Sequence, residues 1–598
     1  MIQVLIKTVS KKPRIVLVVL FVTLSYVTIL HNTPQARADA STYYVRPTDC
    51  SDDGSGSSNL PYCTIQKAAN TARAGDTVLL YDGIYRSSTN TTFSYSGTES
   101  QPITFRAIGD GAILTGNVPL DESLFQKTAG FTSVYEITEA QIPASAYYQG
   151  VFDIVRSGLV QLDGQSVYTG YRSDQFNNIL HENSAVPVAN IAAVDSTTYS
   201  WYFDTESRKL YIHTREGDAP TTHEWEVNRP FGGRFLTLAA SVKNLVFDGL
   251  IFRYASIYFG NRGNENITVQ NFETIGSGMS IDGGAINVTF QNCHIHDTLV
   301  AVNAGYDGLN VSESTGAKII NCVIERGWNN IQWGNNTNTL FDRVISRDCP
   351  NHPMNGSNSI NMSVSNSIIL RGQEGFYIHG DVGMTIGNSL FSSLLMERSS
   401  NYECRIPNQI TLRNNIFSGY YINAVDCPAF TWAEVLLDSD DNYFLPTDGP
   451  DSNWLAQTGW FEICHTTQDT LTICQGITGQ DMNSRTADGT PLWTDWTSDN
   501  FHLLSGALVV DTGVNVGNSH DYDNVPRPKG AGFDIGAFEY DPNCTPNWWC
   551  TNWSVCADSQ QTRSCHDDNN CGSDAGRPVE SADCDSTAPG VVVDLMAN

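Results

Sequence analysis

Asp248-Gly249-Leu250-Ile251, Asn292-Cys293-His294-Ile295, Asn321-Cys322-Val323-Ile324, Asp342-Arg343-Val344-Ile345, Asn366-Ser367-Ile368-Ile369, Asn388-Ser389-Leu390-Phe391, Asn414-Asn415-Ile416-Phe417 and Asn442-Tyr443-Phe444-Leu445 are eight versions of one phrase. Each opens on Asn or Asp, skips one residue, and continues with two mostly apolar ones. With Asn271 as a weaker member, the successive spacings are 23, 21, 29, 21, 24, 22, 26 and 28 residues. Apolar alternation precedes most marks, as at Ile267 and Val269, Val288 and Phe290, or Ile410 and Leu412. A period of two means strand, and the Gly, Asn and Ser clusters between mean turn. Ten-residue helices do not fit between the marks.

Short strands at this interval predict coils stacked so that each strand pairs with its counterpart one turn later. At ~4.8 Å per strand, nine coils cover ~40 Å. The Asn marks are expected to be turn residues that satisfy backbone groups. Cys293 and Cys322 hold equivalent positions, so they should be neighbours in the core, either bonded or as two small hydrophobes. The pattern resembles the right-handed parallel β-helix of the pectin-lyase-like superfamily, an all-β solenoid. Tyr43-Tyr44-Val45, Cys63 to Ala68, Ala74 to Val78, Gly83-Ile84-Tyr85 and Pro102 to Phe105 resemble the opening coils of its secreted members. Asp521-Tyr522-Asp523, Pro526-Arg527 and Asp534 to Tyr540 resemble a closing segment common there.

Outward from the repeats, the chain divides into a signal peptide (1–40), a cap with the first coils (41–119), a β-rich insertion (120–240), central coils (241–445), C-terminal coils with the closing segment (446–541), a small cysteine-rich module (542–585) and a tail (586–598). In the insertion, Trp201-Tyr202-Phe203-Asp204 and Lys209 to His213 read as a hairpin turning near Glu206-Ser207. The module carries Trp549, Trp553, Cys556, Arg563 and Cys565 in the spacing of a thrombospondin type-1 repeat, which it resembles. That resemblance implies a stack of Trp549, Trp553 and Arg563, and a disulfide-stapled spacer or partner-binding role.

The N-terminus has Lys7, Lys11, Lys12 and Arg14 before an apolar run to Leu30, then small-x-small sites at Ala36 to Ala40. This is the layout of an export signal, and it predicts a secreted or cell-surface protein with no membrane span after cleavage. Fifteen cysteines fit an oxidising compartment. Cys50 with Cys63, Cys404 with Cys427 and Cys464 with Cys474 read as local staples, which leaves Cys293, Cys322 and Cys349. Paired CxxC spacing is missing, so zinc on cysteines is disfavoured. With 34 Lys and Arg against 64 Asp and Glu, the net charge is −30, which excludes nucleic acid as a partner.

Stacking turns a period into a surface column. Four and five residues beyond the marks stand His296 and Asp297, Glu325 and Arg326, Ser346 and Arg347 followed by Asp348, then Leu370 and Arg371, with Glu374 further on. Aligned coils would bring Arg326, Arg347 and Arg371 one strand apart, interleaved with Asp297, Glu325, Asp348 and Glu374. Trp328, Trp333, Tyr377 and His379 lie on the same coils as a candidate sugar platform. Hydrolysis of a glycoside needs two carboxyls, ~5–5.5 Å apart for retention and ~6.5–9.5 Å for inversion. Adjacent and alternate coils offer both spacings to the four acids. An arginine column would instead neutralise a uronate for elimination, with a base for the adjacent proton. Gly375 to Asp381 resembles, in part, a coil of chondroitinase- and alginate-lyase-like β-helices, but Ile378 stands where they carry Arg.

The expected function is that of a polysaccharide hydrolase with catalytic Asp297, Glu325, Asp348 and Glu374. Arg326, Arg347, Arg371, Trp328, Trp333, His296, Tyr377 and His379 would bind substrate. The alternatives are a uronate lyase and a non-enzymatic surface or adhesion protein whose face is simply ion-paired. No cofactor is expected, with Ca²⁺ at Asp438, Asp440 and Asp441 as the alternative to an acidic turn. Polysaccharide is the expected partner, and an extracellular protein is a second one through the module. On this reading Glu325→Gln abolishes sugar release with thermal unfolding nearly unchanged.

Overall fold

The computed structural model describes residues 40–86, 90–142, 159–162, 186–198, 200–204, 206–214, 217–222, 224–227, 233–259, 263–298, 307–372, 375–391, 394–396, 409–417, 437–445, 471–486, 490–496, 499–551, 553, 560–563, 565–569, 571 and 576–583. The export-signal reading, the Cys404–Cys427 and Cys464–Cys474 staples, Glu374 and the tail lie outside them. All elements below belong to one unit, Thr42–Asn598.

Two long parallel sheets form the body, which is a parallel β-helix. The larger joins 20 strands, among them Glu265–Ile275, Thr289–His296, Lys318–Glu325 and Leu340–Arg347. The second stacks Met279–Ile281, Leu309–Ser312, Ile331–Gly334, Met354–Ser357, Phe376–His379 and Leu394–Met396. Each strand pairs with its successor one coil later, as when Phe290 faces Ile319 and Ile319 faces Phe341. Alternate residues therefore form inward files. Val269, Phe290, Ile319, Phe341, Val364, Ile386 and Leu412 make one such file, fully buried. Phe391, Phe417 and Phe444 make another, with rings stacked 5.5–5.6 Å apart. Burying a side chain of this size contributes ~1.5–3 kcal/mol, so the files hold successive coils in register.

The marks are a corner. Gly249, Asn271, Asn292, Asn321, Arg343, Asn366, Asn388, Asn414 and Asp441 all take a positive φ, between 49° and 74°. Asn tolerates that left-handed region better than most residues, which accounts for its recurrence. Its amides then bond along the axis: Asn292 Nδ2 donates to Asn271 Oδ1 at 3.0 Å, and Asn321 Nδ2 to Asn292 Oδ1 at 2.9 Å. Three marks sit one residue off this corner. Asp248 and Asp342 precede it, and their carboxylates accept from Asn271 at 2.7 Å and Asn366 at 2.9 Å. Asn442 follows it, because Asp441 is the corner residue. A second corner repeats the device with Asn244, Asn266 and Asn287, joined amide to amide at 3.1–3.2 Å.

Cys293 and Cys322 are register partners and are bonded, as are Cys50 and Cys63, while Cys349 is a buried free thiol. The insertion leaves and re-enters between adjacent coils. Ile103–Ala107 pairs directly with Lys243–Asp248, and parallel pairing resumes at Gly233–Leu238, earlier than the sequence reading placed it. Its hairpin pairs Ser200–Asp204 with Lys209–His213 around Glu206 and Ser207.

The closing segment covers the outward face of the larger sheet along one file of successive coils. Ile368, Leu390, Ile416 and Tyr443 form one apolar cluster with Trp493, Phe501, Leu503, Val509, Ile535 and Phe538. In the terminal module, Cys544 bonds Cys571 and Cys550 bonds Cys565. Arg563 lies 4.4 Å over Trp553, and Arg577 lies 5.6 Å over Trp548. Trp549, expected in the stack, is half exposed at 51%. No helix among the described residues is long and apolar enough to cross a membrane.

Candidate active site

At the corner between the two sheets, the charges foreseen in the sequence come together, but in a different order. Glu325 faces Arg347 across the larger sheet, and His296 faces Glu325. Asp297, Arg326, Asp348 and Arg371 form the adjoining column, each with φ between 49° and 58°. Backbone bonds hold that column: Asp297 donates to the Glu325 carbonyl, Arg326 to that of Asp348, and Cys349 to that of Arg371. The arginines are therefore staggered over two columns, each beside acids, and do not form one file of positive charge.

Every guanidinium in the strip is matched. Arg326 donates Nε and Nη2 to the two Asp297 oxygens at 2.8 and 3.0 Å, and Nη1 to Glu325. Arg347 donates Nε to Glu325 Oε2 at 2.8 Å and Nη1 to Asp499 at 2.5 Å. Arg371 donates to Asp348 at 2.5 and 3.1 Å and to Asp499 at 2.5 and 2.8 Å. His294 Nε2 lies 3.1 Å from Glu325 Oε1, and His296 Nδ1 lies 2.5 Å from Asp297 Oδ2. Asp499 belongs to the closing segment, outside the coils, so no period could announce it.

This wiring fixes protonation. Burial alone would raise Asp297, but the bonds from His296 and Arg326 outweigh it and hold the carboxyl at about 2. Burial is likewise outweighed at Glu325 by His294, Arg326 and Arg347, which keep it well below the carboxylate range. Both are held below the ordinary carboxylate value, which disfavours either as the proton-bearing general acid. Asp297 and Glu325, expected among the catalytic carboxyls, are partners of Arg326 and Arg347 in a charge ladder. The expectation that Arg347 is open to a uronate is corrected for the same reason.

Glu325→Gln is accordingly expected to lower stability by about 2 kcal/mol, since three charge-assisted bonds weaken while both arginines keep a second carboxylate. That replaces the expectation of unchanged unfolding. The folded-state pKa is depressed, so the carboxylate's contribution is present above about pH 4 and fades as pH falls through the folded value. Urea unfolding of both proteins should thus show the gap at pH 7 and a narrower gap near pH 2.

The aromatic candidates divide. Trp333 is an inward residue, 2% exposed, with its ring 5.5 Å from Phe376 and its Nε1 donating to Asp381 at 3.3 Å. It is a core residue and no platform. Tyr377 is also buried, 8% exposed beside the His352 ring, and so is corrected too. Trp328 is half-buried, two residues beyond Arg326. His379 lies on the Phe376–His379 strand, with its side chain outside the described residues. Asp438, Asp440 and Asp441 surround Arg413, so in this structure a guanidinium supplies the positive charge there.

Beside the strip, the outward face of the second sheet is polar, and its first member, Ser280, donates to Asp282 Oδ2 at 2.7 Å. Ser280, Asn310, Gln332, Asn355 and Tyr377 are successive register partners, one strand apart. Asn310 Nδ2 donates to Gln332 Oε1 at 3.2 Å. The next file runs Ser312, Gly334, Ser357 and His379, and a Cβ at Gly334 would meet only the Ser357 carbonyl oxygen, 3.8 Å away. Between strip and face runs a third file: Asn351 Nδ2 donates to Asn329 Oδ1 at 2.8 Å, and Asn329 Nδ2 to Asp307 Oδ1 at 2.9 Å. Burial raises the Asp307 carboxyl from its ordinary value, against the pull of Asn329 and Asn310. The sequence reading missed Asp307, although Asp307, Asn329 and Asn351 recur at 22-residue intervals.

The chain matches no protein-family model. It is 35% identical over 104 residues to the pectate lyase PEL9 of Emericella nidulans, a match that spans 16% of this chain and 25% of that protein. Among solved structures it is similar to the complex of XylC with xylose, at 14% identity and a TM-score of 0.48, covering 84% of this chain and 99% of that one. It is similar to pectate lyase Pel9A at 13% identity and 0.41, covering 84% and 97%. A glycoside hydrolase aligns at 11% identity and 0.42, covering 64% and 94%.

Proposed function

We propose that the chain is an extracellular enzyme that hydrolyses a polysaccharide lying along the Ser280–Asn355 file, with Asp307 as proton donor. Carbohydrate as substrate class is supported by the pectate lyase relative and by the file itself, whose amides and hydroxyls match sugar hydroxyls. The observation that carries hydrolysis is the raised carboxyl of Asp307, bonded into the amide ladder beside that file. Asp348, the most exposed of Asp297, Glu325 and Asp348, serves as the second carboxyl. Arg326, Arg347 and Arg371 are matched by carboxylates, which favours a neutral glycan over a uronate.

The second reading is a non-enzymatic surface protein, favoured by the completeness of the strip's ion pairing. In either case the terminal module extends the proposal to an extracellular protein partner, supported by the Arg563–Trp553 stack. The test is incubation of the purified chain with neutral and uronate polysaccharides, reading reducing ends and the ultraviolet absorbance of unsaturated uronates. Reducing ends from a neutral glycan without absorbance are expected. An absorbance rise would replace hydrolysis by elimination, and neither signal would leave the surface role.

A further inference from the structure

Two histidines and a glutamate at the edge of the strip make a constellation that neither Asp307 nor the amide file uses. On Thr289–His296, His294 and His296 are two residues apart and so project from the same outward face. Their rings stack with centroids 4.0 Å apart. Glu273, on the preceding coil, is the register partner of His294. One ligand atom from each of the three lies within 4.8 Å of the other two. His296 is held at both ends, with Nε2 3.0 Å from Glu273 Oε1 and Nδ1 2.5 Å from Asp297 Oδ2.

We infer that Glu273, His294 and His296 bind a divalent transition-metal ion of the zinc class. Two imidazoles and a carboxylate suit such an ion, whereas Ca²⁺ takes oxygen ligands. A carboxylate on the far nitrogen of a histidine fixes the tautomer that presents the other nitrogen to a metal, and Asp297 holds that place on His296. Metal–ligand bonds of about 2.0–2.1 Å set tetrahedral ligand atoms roughly 3.3 Å apart. The closure needed is within reach of side-chain rotation, because the His294 and Glu273 side chains are 40% and 38% exposed. Three protein ligands leave a fourth position for water. The spacing that matters is one coil, Glu273 to His294, so a search for ligands close together in sequence passes over it.

The test is titration of the intact, chelator-treated chain with Zn²⁺, and separately with Ca²⁺, against a competing chromophoric chelator. One equivalent of Zn²⁺ is expected to bind, with no comparable Ca²⁺ uptake. His294→Gln and Glu273→Gln should each weaken Zn²⁺ binding at least ~10–100-fold, while His520→Gln, at an exposed histidine elsewhere, should leave it unchanged. The tetrahedral visible band of bound Co²⁺ should disappear in His294→Gln. Circular dichroism of each variant confirms folding, and both substituted side chains are open enough to tolerate the change. Absence of stoichiometric Zn²⁺ binding by the unaltered chain, or equal binding by His294→Gln, would overturn the site.

Discussion

Asp307→Asn is expected to cut glycan hydrolysis by ~10²–10⁴-fold, the usual worth of a positioned general acid, with glycan binding little changed. The amide keeps an acceptor for Asn329 Nδ2, so the ladder to Asn351 survives. What disappears is the proton for the departing oxygen. Two further readouts separate this from a packing defect. A substrate with an acidic leaving group needs less protonation, so its hydrolysis should fall less than that of the natural glycan. Stability supplies the other. Asp307 is raised in the folded state, so its contribution is present below the unfolded value of about 4 and is lost as pH rises through the folded one. Asn does not titrate, so the variant should be as stable as the parent, or more so, at pH 7. A variant that hydrolyses glycan at the parent rate would remove Asp307 from the chemistry.

Much of the architecture was legible because a solenoid is quasi-one-dimensional: a period in sequence becomes adjacency in space. Asn292 and Asn321 announced a corner, Cys293 and Cys322 announced neighbours, and Asp297, Glu325, Arg326, Arg347, Asp348 and Arg371 announced one surface. Register was legible only to within one residue. Asp248 and Asp342 mimic the corner letter while standing just before it, and Arg343 takes the corner in place of Asn. In a strand, an error of one exchanges inside for outside. Trp333 shows the cost. Ile331 points inward, so Trp333, two residues on, does too, and that parity was readable beforehand. Tyr377 differs, since it occupies an outward register but lies against His352, which approaches from a loop that periodicity does not describe. Protonation was the least legible quantity. A list of carboxylates cannot say which are matched by guanidinia, and the arginines' second partner, Asp499, is more than a hundred residues away from them.

Because Asp499 arrives from the closing segment, the strip depends on a part of the fold outside the coils. Arg527→Met tests that dependence and is expected to lower stability by ~3–5 kcal/mol, the cost of removing one member of a buried charge pair. Arg527 and Glu539 are both fully buried side chains, joined at 2.6 Å, and Arg527 also donates to the Gly536 carbonyl at 2.8 Å. The same Glu539 accepts the backbone N–H groups of Lys529 and Asp534, so the pair ties together three strands of loop around the cluster of Phe501, Ile535 and Phe538. Loosening it should free the segment that carries Asp499 before the coils themselves open, because the inward files of the coils do not pass through it. Hydrogen exchange should therefore rise first over residues 499–540, and Arg347 and Arg371 should each lose a carboxylate. With Asp499 withdrawn, the strip gains positive charge, so uronate oligosaccharides that the parent ignores should bind to the variant and be released by salt. If unfolding of the variant is as cooperative and as late as that of the parent, the closing segment is not what holds Asp499 in place.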